Sequence, residues 1–588
     1  MKKSILLMPL SALALTSLVG CQKAPFDLIP SGFISLGGTH HEIVVEETPE
    51  EPEVNITKTF ELKADGEATF TSSGNVYTIT SAGTFTAKGL LEEGQIIVNA
   101  PSDAEVTIKL NNASITCSTD SPIKVVQADE LDISAKEGTT NLIEDARSEK
   151  NAAASDDGTY GEGAISAKCD LKLKGEGTLV VRGNYNNGVH TTKDLKIQKE
   201  NLYVTAINNA LKGKDSITIV SGNIIAISKK GDGLKTDNSD ISSSLKQKGS
   251  ITVSGGTLLV DAAFDAIDAA YNVVVNEDNE DSLPTKITAK TGEYAKYSTN
   301  YINEESAKGF KSDNQIDISA GTITMKTTDD AIHANYGKAL KNSETGLGIV
   351  NISGGTIGIG SGDDGIHADN TLNITDGTID IAGAKEGIEA THIDISGGST
   401  CIYGSDDGVN APKKIAGETP SVKVSGGFLD VAVIRGDTDG IDSNGTFEMT
   451  GGFVVSRGSP GSANRLSTAL DCNLTAKIAG GTFIAFNSVE RVPVIGNGVY
   501  HFQYAVFGSG VSNPGGHRRN MGEKLPKLNP GIYKVTGENM DKTMENISIY
   551  ENFIIYSNEL VLNNTYTLSC DDAELFSWTQ NKTSVTLS

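Results

Sequence analysis

The chain has 588 residues and a formal net charge of −26. That acidity repels phosphate and argues against nucleic acid as a partner, while favouring cations or cation-bridged anionic polymers. The 64 glycines and single tryptophan, together with abundant Thr, Ser and Ile and little helical periodicity, exclude a helical protein and indicate an all-β chain with many tight turns.

In chain order, Lys2 and Lys3 precede an apolar run from Ile5 to Leu18 that is too short to span a membrane and reads as a secretory signal. It closes on Leu18-Val19-Gly20-Cys21, a sequence similar to the bacterial lipobox, so residues 1–21 are expected to be a lipoprotein signal with Cys21 lipidated after cleavage. The expected location is the cell envelope, held by lipid, at the outer membrane or cell surface. Residues 22–58, with Glu46, Glu47, Glu50, Glu51 and Glu53 among prolines, lack core-forming residues and are expected to form a solvated tether.

Short alternating strands follow at Ala68–Phe70, Val76–Ile79, Gln95–Val98 and Val106–Leu110. They read as atypical capping turns. A phrase of the form Asp-Gly-Ile-x-Ala, followed by Ile-x-Ile-Ser-Gly-Gly-Thr-Ile-x-Ile, then recurs about every twenty-two residues. It predicts inward apolar residues at Ile165, Val189, Leu211, Leu234, Ile267, Phe310, Ile332, Ile366, Ile388, Val409 and Ile441. Pairs such as Gly255-Gly256, Gly354-Gly355 and Gly397-Gly398 mark a corner requiring positive φ or close approach. Three short strands per turn predict a right-handed parallel β-helix over residues 59–488, with turns about 4.8 Å apart. Leucine-rich repeats need a Leu/Asn pattern that is absent, and propeller blades are about twice as long. Polar insertions at Asp278–Ser282 and Tyr294–Glu305 read as loops. Residues 489–588 change pattern; Gly531–Val535, Ile547–Tyr550, Phe553–Tyr556 and Tyr566–Leu568 are expected to form a small antiparallel β cap over the open end.

The remaining cysteines, Cys117, Cys169, Cys401, Cys472 and Cys570, have neither metal spacing nor a disulfide pattern. Chemistry instead falls on two columns of the repeat. The corner position carries Asn187, Asn209, Asp232, Asp265, Lys308, Asp330, Asp364, Glu386, Asp407 and Asp439. The outward position carries His190, Lys212, Lys235, Asp268, Lys311, His333, His367, Glu389, Asn410 and Asp442. Stacked carboxylates repel unless neutralised, and corner Asp residues also cap turn amides. Hard oxygen ligands at doubled acids suit Ca²⁺, which makes Asp329, Asp330, Asp363, Asp364, Asp406, Asp407, Glu386 and Asp439 the candidate metal ligands. Lys235, Lys311, His333, His367 and Glu389 are candidate polysaccharide-binding residues in an otherwise solvated ladder. A lysine here also satisfies the need of a calcium-assisted eliminating enzyme for a base.

The stretch Ile115–Asp145, then Gly163-Ala164-Ile165-Ser166-Ala167-Lys168-Cys169-Asp170-Leu171 and Val180–Val189, resembles a bacterial family of exported carbohydrate-binding β-helix proteins. Ala210–Asp215 and Asp232-Gly233-Leu234-Lys235 continue the resemblance, which runs from about residue 75 to 570. That family is similar in fold to calcium-dependent polysaccharide lyases of family 9. The resemblance implies polysaccharide binding, to cellulose or acidic plant sugars, and bound calcium rather than proven catalysis. Asn187 and Asn209, where the family has Asp, and insertions around 278–305 and 335–348 depart from it. Few exposed aromatics favour an acidic glycan bound through polar groups. The leading expectation is therefore a monomeric lipoprotein that binds polysaccharide; the alternatives are a lyase with a Lys base and a structural or adhesive rod.

Overall fold

A computed structural model describes residues 42–148, 160–278, 283–296, 306–341, 344–433, 436, 438–460, 467–506 and 526–587. The leader, Cys21 and most residues of both predicted insertions near 280 and 300 lie outside them. Among the described residues there is no α-helix; one 45-stranded sheet, parallel for most of its pairings, wraps into a β-helix.

Each turn contributes three strands, and each pairs with its equivalent in the next turn. The first sheet contains Gly163–Ala167, Asn187–Thr191, Leu211–Gly213, Leu234–Lys235, Ile267–Ala269, Phe310–Ser312 and Ile332–Ala334. The second contains Asp170–Gly175, Asp194–Gln198, Ser216–Ile219, Ser250–Val253 and Asn272–Val275. The third contains Thr140–Asp145, Thr178–Gly183, Glu200–Ala206, Gly222–Ser228, Gly256–Ala262, Thr285–Thr291 and Thr322–Thr327. The inward column is the one the repeat predicts: Ile165, Val189, Leu211, Leu234, Ile267, Phe310, Ile332, Ile366, Ile388, Val409 and Ile441 follow each other through the turns. All of them are fully buried. A period-two strand with one apolar face has a single register that keeps that face inside, so the pattern fixes the pairing.

The Gly-Gly corners have a divided task. The second glycine takes positive φ, +88° at Gly355 and +71° at Gly398. The first lies against the previous turn, where a Cβ at Gly397 would stand 2.0 Å from the Thr375 carbonyl oxygen.

Both ends depart from parallel pairing. Glu61–Ala64 runs antiparallel to Gly83–Leu91, and Phe70–Ser73 forms a hairpin with Val76–Ile79. At the far end Asn552–Ser557 lies antiparallel to the last third-sheet strand, Thr482–Phe486. A separate four-stranded antiparallel sheet contains Gly531–Gly537, Met540–Asn546, Thr565–Cys570 and Ala573–Thr579. The expected strand at Ile547–Tyr550 does not form; the hairpin partner is Met540–Asn546, and Ile549 is exposed. The pairing with Gly531–Gly537 through a tight Gly537–Met540 turn outweighs the alternating pattern at 547–550. This C-terminal part also covers the flank of the last turns. Cys401, Phe428, Phe453, Val455 and Ile484 point out of the third sheet and pack with Phe502, Tyr533 and Phe553. Arg457, 2% exposed, pairs with Asp430 and donates to the Glu545 carbonyl.

The acidic stretch expected as a solvated tether is instead laid on the rod over its described part, 42–58. Val54 packs with Leu142, Val180, Tyr203 and Ile227, and Glu51 pairs with Arg182 at 2.5 Å. Its carboxylates find guanidinium and ammonium groups on the third sheet, a gain that composition alone does not reveal.

Candidate functional site

The outward position of the first sheet forms one ladder in register: His190, Lys212, Lys235, Asp268, Lys311, His333, His367, Glu389, Asn410, Asp442 and Asp471. The sequence suggests a solvated ladder, but it is half-buried; the His333 and His367 side chains are 13% and 11% exposed and Glu389 6%. Two features sink it. The corner acids lean over it, and inserted segments wall it: the hairpin of Tyr336–Ala339 with Thr345–Leu347, whose Tyr336 amide donates to Asp369 at 2.8 Å, and residues 412–420, which carry Lys414.

The corner acids use their two oxygens differently. One oxygen accepts the amide of the next corner residue along the rod: Asn209 from Asp232 at 3.0 Å, Asp232 from Asp265 at 3.1 Å, Asp265 from Lys308 at 2.8 Å, Asp330 from Asp364 at 3.0 Å and Asp407 from Asp439 at 2.7 Å. The amide-capping role of these residues is therefore observed. The other oxygen meets the outward side chain three residues later. Asp232 reaches Lys235 at 2.7 Å, Asp330 reaches His333 at 2.6 Å and Asp364 reaches His367 at 2.9 Å.

Own cations neutralise much of the ladder. Lys235 bridges Asp232 and Asp268 at 2.7 and 2.6 Å. Lys311 meets Asp265 at 3.1 Å, and Lys308 meets Asp329 and Asp330 at 2.7 Å each. Burial pushes the Lys235 and Lys311 ammonium groups down, but the facing carboxylates outweigh it and hold both above the ordinary lysine range.

In the middle of the ladder the rings of His333 and His367 stack at 4.4 Å between centroids. Asp369 faces both, 3.6 Å from His333 Nε2 and 3.3 Å from His367 Nε2. His367 Nε2 is also 3.1 Å from Glu389, to which Lys414 bonds. Burial opposes charge on His367, yet Asp364, Asp369 and Asp330 overcome it and raise the imidazole to about 10. One turn on, burial and a shared hydrogen bond with Glu389 push Glu386 up to about 9, and Glu389 is held low by Glu386, Lys414 and His367 against its burial. The pair thus holds one proton and one charge. His190, far along the ladder, is separate: burial pushes it down to about 4.

Beyond Asn410 the described residues supply no such cation. Burial, and then the neighbouring carboxylates, push Asp407, Asp439 and Asp442 up to about 7 each. Among the described residues no lysine or arginine pairs with these three or with Asp471.

The sequence-derived ligand candidates therefore fall into separate groups. Oxygens of Asp329, Asp330 and Asp363 lie within 4.8 Å of one another, but the Lys308 ammonium already bonds two of them, and Asp363 pairs with Lys385 at 3.1 Å. Asp364 and Glu389 converge with His367, a mixed nitrogen and oxygen set. Glu386 joins Glu389, and Asp407 joins Asp439 in the uncompensated region beside Asp406. Of the binding candidates, His333, His367 and Glu389 come together, whereas Lys235 and Lys311 share the Asp232–Asp265–Asp268 cluster. Sequence reasoning missed Asp369 and Lys414. Asp369 had a signal, since it lies two residues after His367 and shares its face; Lys414 comes from an irregular segment and had none.

The description "carbohydrate-binding domain-containing protein" belongs to a family model that matches residues 73–346 and 336–432, well over half of the chain. The chain belongs to this family. A carbohydrate-binding domain-containing protein of Acetivibrio thermocellus is 32% identical over 271 residues, covering 46% of this chain and 87% of that protein. A solved structure described as a polysaccharide lyase-like protein from C. thermocellum, a gadolinium derivative, is 28% identical and aligns with 45% of this chain and 92% of its own, at a TM-score of 0.35. The family's match covers the ladder from its start to Asn410 and stops before Asp439.

Proposed function

We propose that this protein binds polysaccharide, acidic in character, along the half-buried ladder of the first sheet, with Ca²⁺ at its uncompensated end. The observation that carries the reading is a change of character along the first sheet: lysines paired with carboxylates first, then Asp442 and Asp471 in the outward column and Asp407 and Asp439 at the corners beside them, with no lysine or arginine paired to these four among the described residues. Hard carboxylate oxygens without a partner cation suit Ca²⁺, which keeps coordination positions open to carboxylated sugars. The Asp329–Asp330–Asp363 group fits a metal less well, because Lys308 supplies the positive charge there. Family membership supports the carbohydrate. Cys21 would tether the protein to the cell envelope through lipid.

An eliminating enzyme needs a base able to take up a proton. Lys235 and Lys311 are held protonated by their carboxylates and suit binding better. The test is retention on immobilised polygalacturonate with and without chelator, together with metal analysis of the purified protein. Expected are copurified calcium, retention that chelator abolishes, and no new absorbance from unsaturated sugar. Retention indifferent to chelator overturns the calcium reading, and an unsaturated product overturns binding without cleavage.

A further inference from the structure

The third sheet presents to the outside a stripe that is unusual for so acidic a chain. Leu142, Val180 and Tyr203 form an in-register apolar row; beside it Arg182 shares the strand of Val180, Lys286 and Lys290 share one strand four turns on, and Lys326 follows on the next, with Glu144 and Asp261 also paired to Arg182 and Lys290. Residues 42–58 lie along this stripe, crossing the strands. Glu42 faces Lys326 at 3.4 Å, Ile43 rests against Gly358, Glu46 pairs with Lys286, and Thr48 accepts from Lys290 at 2.6 Å. The Pro49 carbonyl accepts from Tyr203 at 3.2 Å, Glu51 takes Arg182, and Val54 closes over Leu142 and Val180.

Twelve residues in extended form reach about 40 Å, enough to cross seven strand spacings of about 4.8 Å, roughly 34 Å. The segment contains six glutamates and has no strand from Glu42 to Thr57; its contacts are made mostly by side chains, with the Pro49 carbonyl accepting from Tyr203 and the Lys58 carbonyl from the Leu90 amide. It is an extended polyanion seated on a cationic and apolar track. We propose that this track is a second glycan-binding face, specific for an extended polyuronate chain, and that residues 42–58 occupy it as a built-in competitor which the polymer displaces. The carboxylates at Glu42, Glu46 and Glu51 stand where uronate carboxylates would, and the apolar row where sugar-ring faces would. This rests on the reading that the protein binds acidic glycan, but it concerns a different face and requires no metal.

The test is limited proteolysis of the full chain by a Glu-specific protease, in chelator, with and without polygalacturonate. Cleavage within residues 46–53 is expected to accelerate severalfold with polygalacturonate and not with neutral glucan. Unchanged or slower cleavage with a polymer that the protein demonstrably binds overturns the competitor while leaving the ladder reading intact. The variant E42Q/E46Q/E51Q, which keeps shape and removes charge, is expected to bind polygalacturonate in chelator roughly three- to tenfold more tightly than wild type, the scale of a few competing exposed ion pairs. Equal or weaker binding overturns the inference. Failure of both proteins to bind polygalacturonate with and without calcium overturns the acidic-glycan reading as well.

Discussion

A corner aspartate in this rod serves two masters: one oxygen caps the amide of the next turn, and the other orients the side chain three positions on. Asn preserves the first role, as Asn187 and Asn209 do toward the amides of Asn209 and Asp232, and weakens the second. At His367 the second role has a measurable sign. Its raised proton affinity adds stability that is fully present below the ordinary histidine range near 6.5 and is lost as pH rises through about 10. NMR of the imidazole is expected to show no titration between pH 6 and 8 in the wild type. Asp364→Asn is expected to bring the midpoint down by at least one unit; an unchanged midpoint would show that Asp364 does not set it.

At the scale of elements, the sequence made some features legible and hid others for physical reasons. The inward column from Ile165 to Ile441 could be read residue by residue, because burial on one face of a strand enforces period two and stacking enforces the repeat. The Gly-Gly corners were equally legible. Gly398→Ala is expected to cost about 1–3 kcal/mol from the positive φ alone, and more from the carbonyl of Gly377, 2.7 Å from the new Cβ; urea unfolding would measure it, and an unchanged midpoint would contradict the corner argument. Columns of charge were visible too, but not their compensation. Whether Asp330 meets a metal, Lys308 or His333 depends on which side chains lean together, and Lys414 arrives from a segment with no periodicity. The acidic stretch at 42–58 misleads by composition, because its partners lie more than a hundred residues away. The cap strand moved from Ile547–Tyr550 to Met540–Asn546 because local hairpin geometry decided the pairing.

Across the whole molecule, charge is distributed unevenly, and this gives the acidic end a pH signature. Asp407, Asp439 and Asp442 titrate near 7 when folded and near 3.8 in the unfolded chain, so their ionisation destabilises the fold increasingly as pH rises from about 4 to 7. A bound cation relieves that cost. The calcium-minus-chelator difference in thermal midpoint is expected to be small at pH 5 and to grow by pH 7.5; a difference independent of pH would place the ion elsewhere. The two flanking pieces, residues 42–58 and the C-terminal sheet, both pack on the outside of the third sheet. The antiparallel strand Asn552–Ser557 has a further effect. A parallel stack can in principle accept another identical turn at its end without limit, whereas here Asn552–Ser557 is covered by Tyr500–Ala505 and, beyond that, by Ser584–Leu587. That outermost strand has only four residues, and so short an edge is a poor template for another molecule, which keeps the rod from becoming the seed of a fibre.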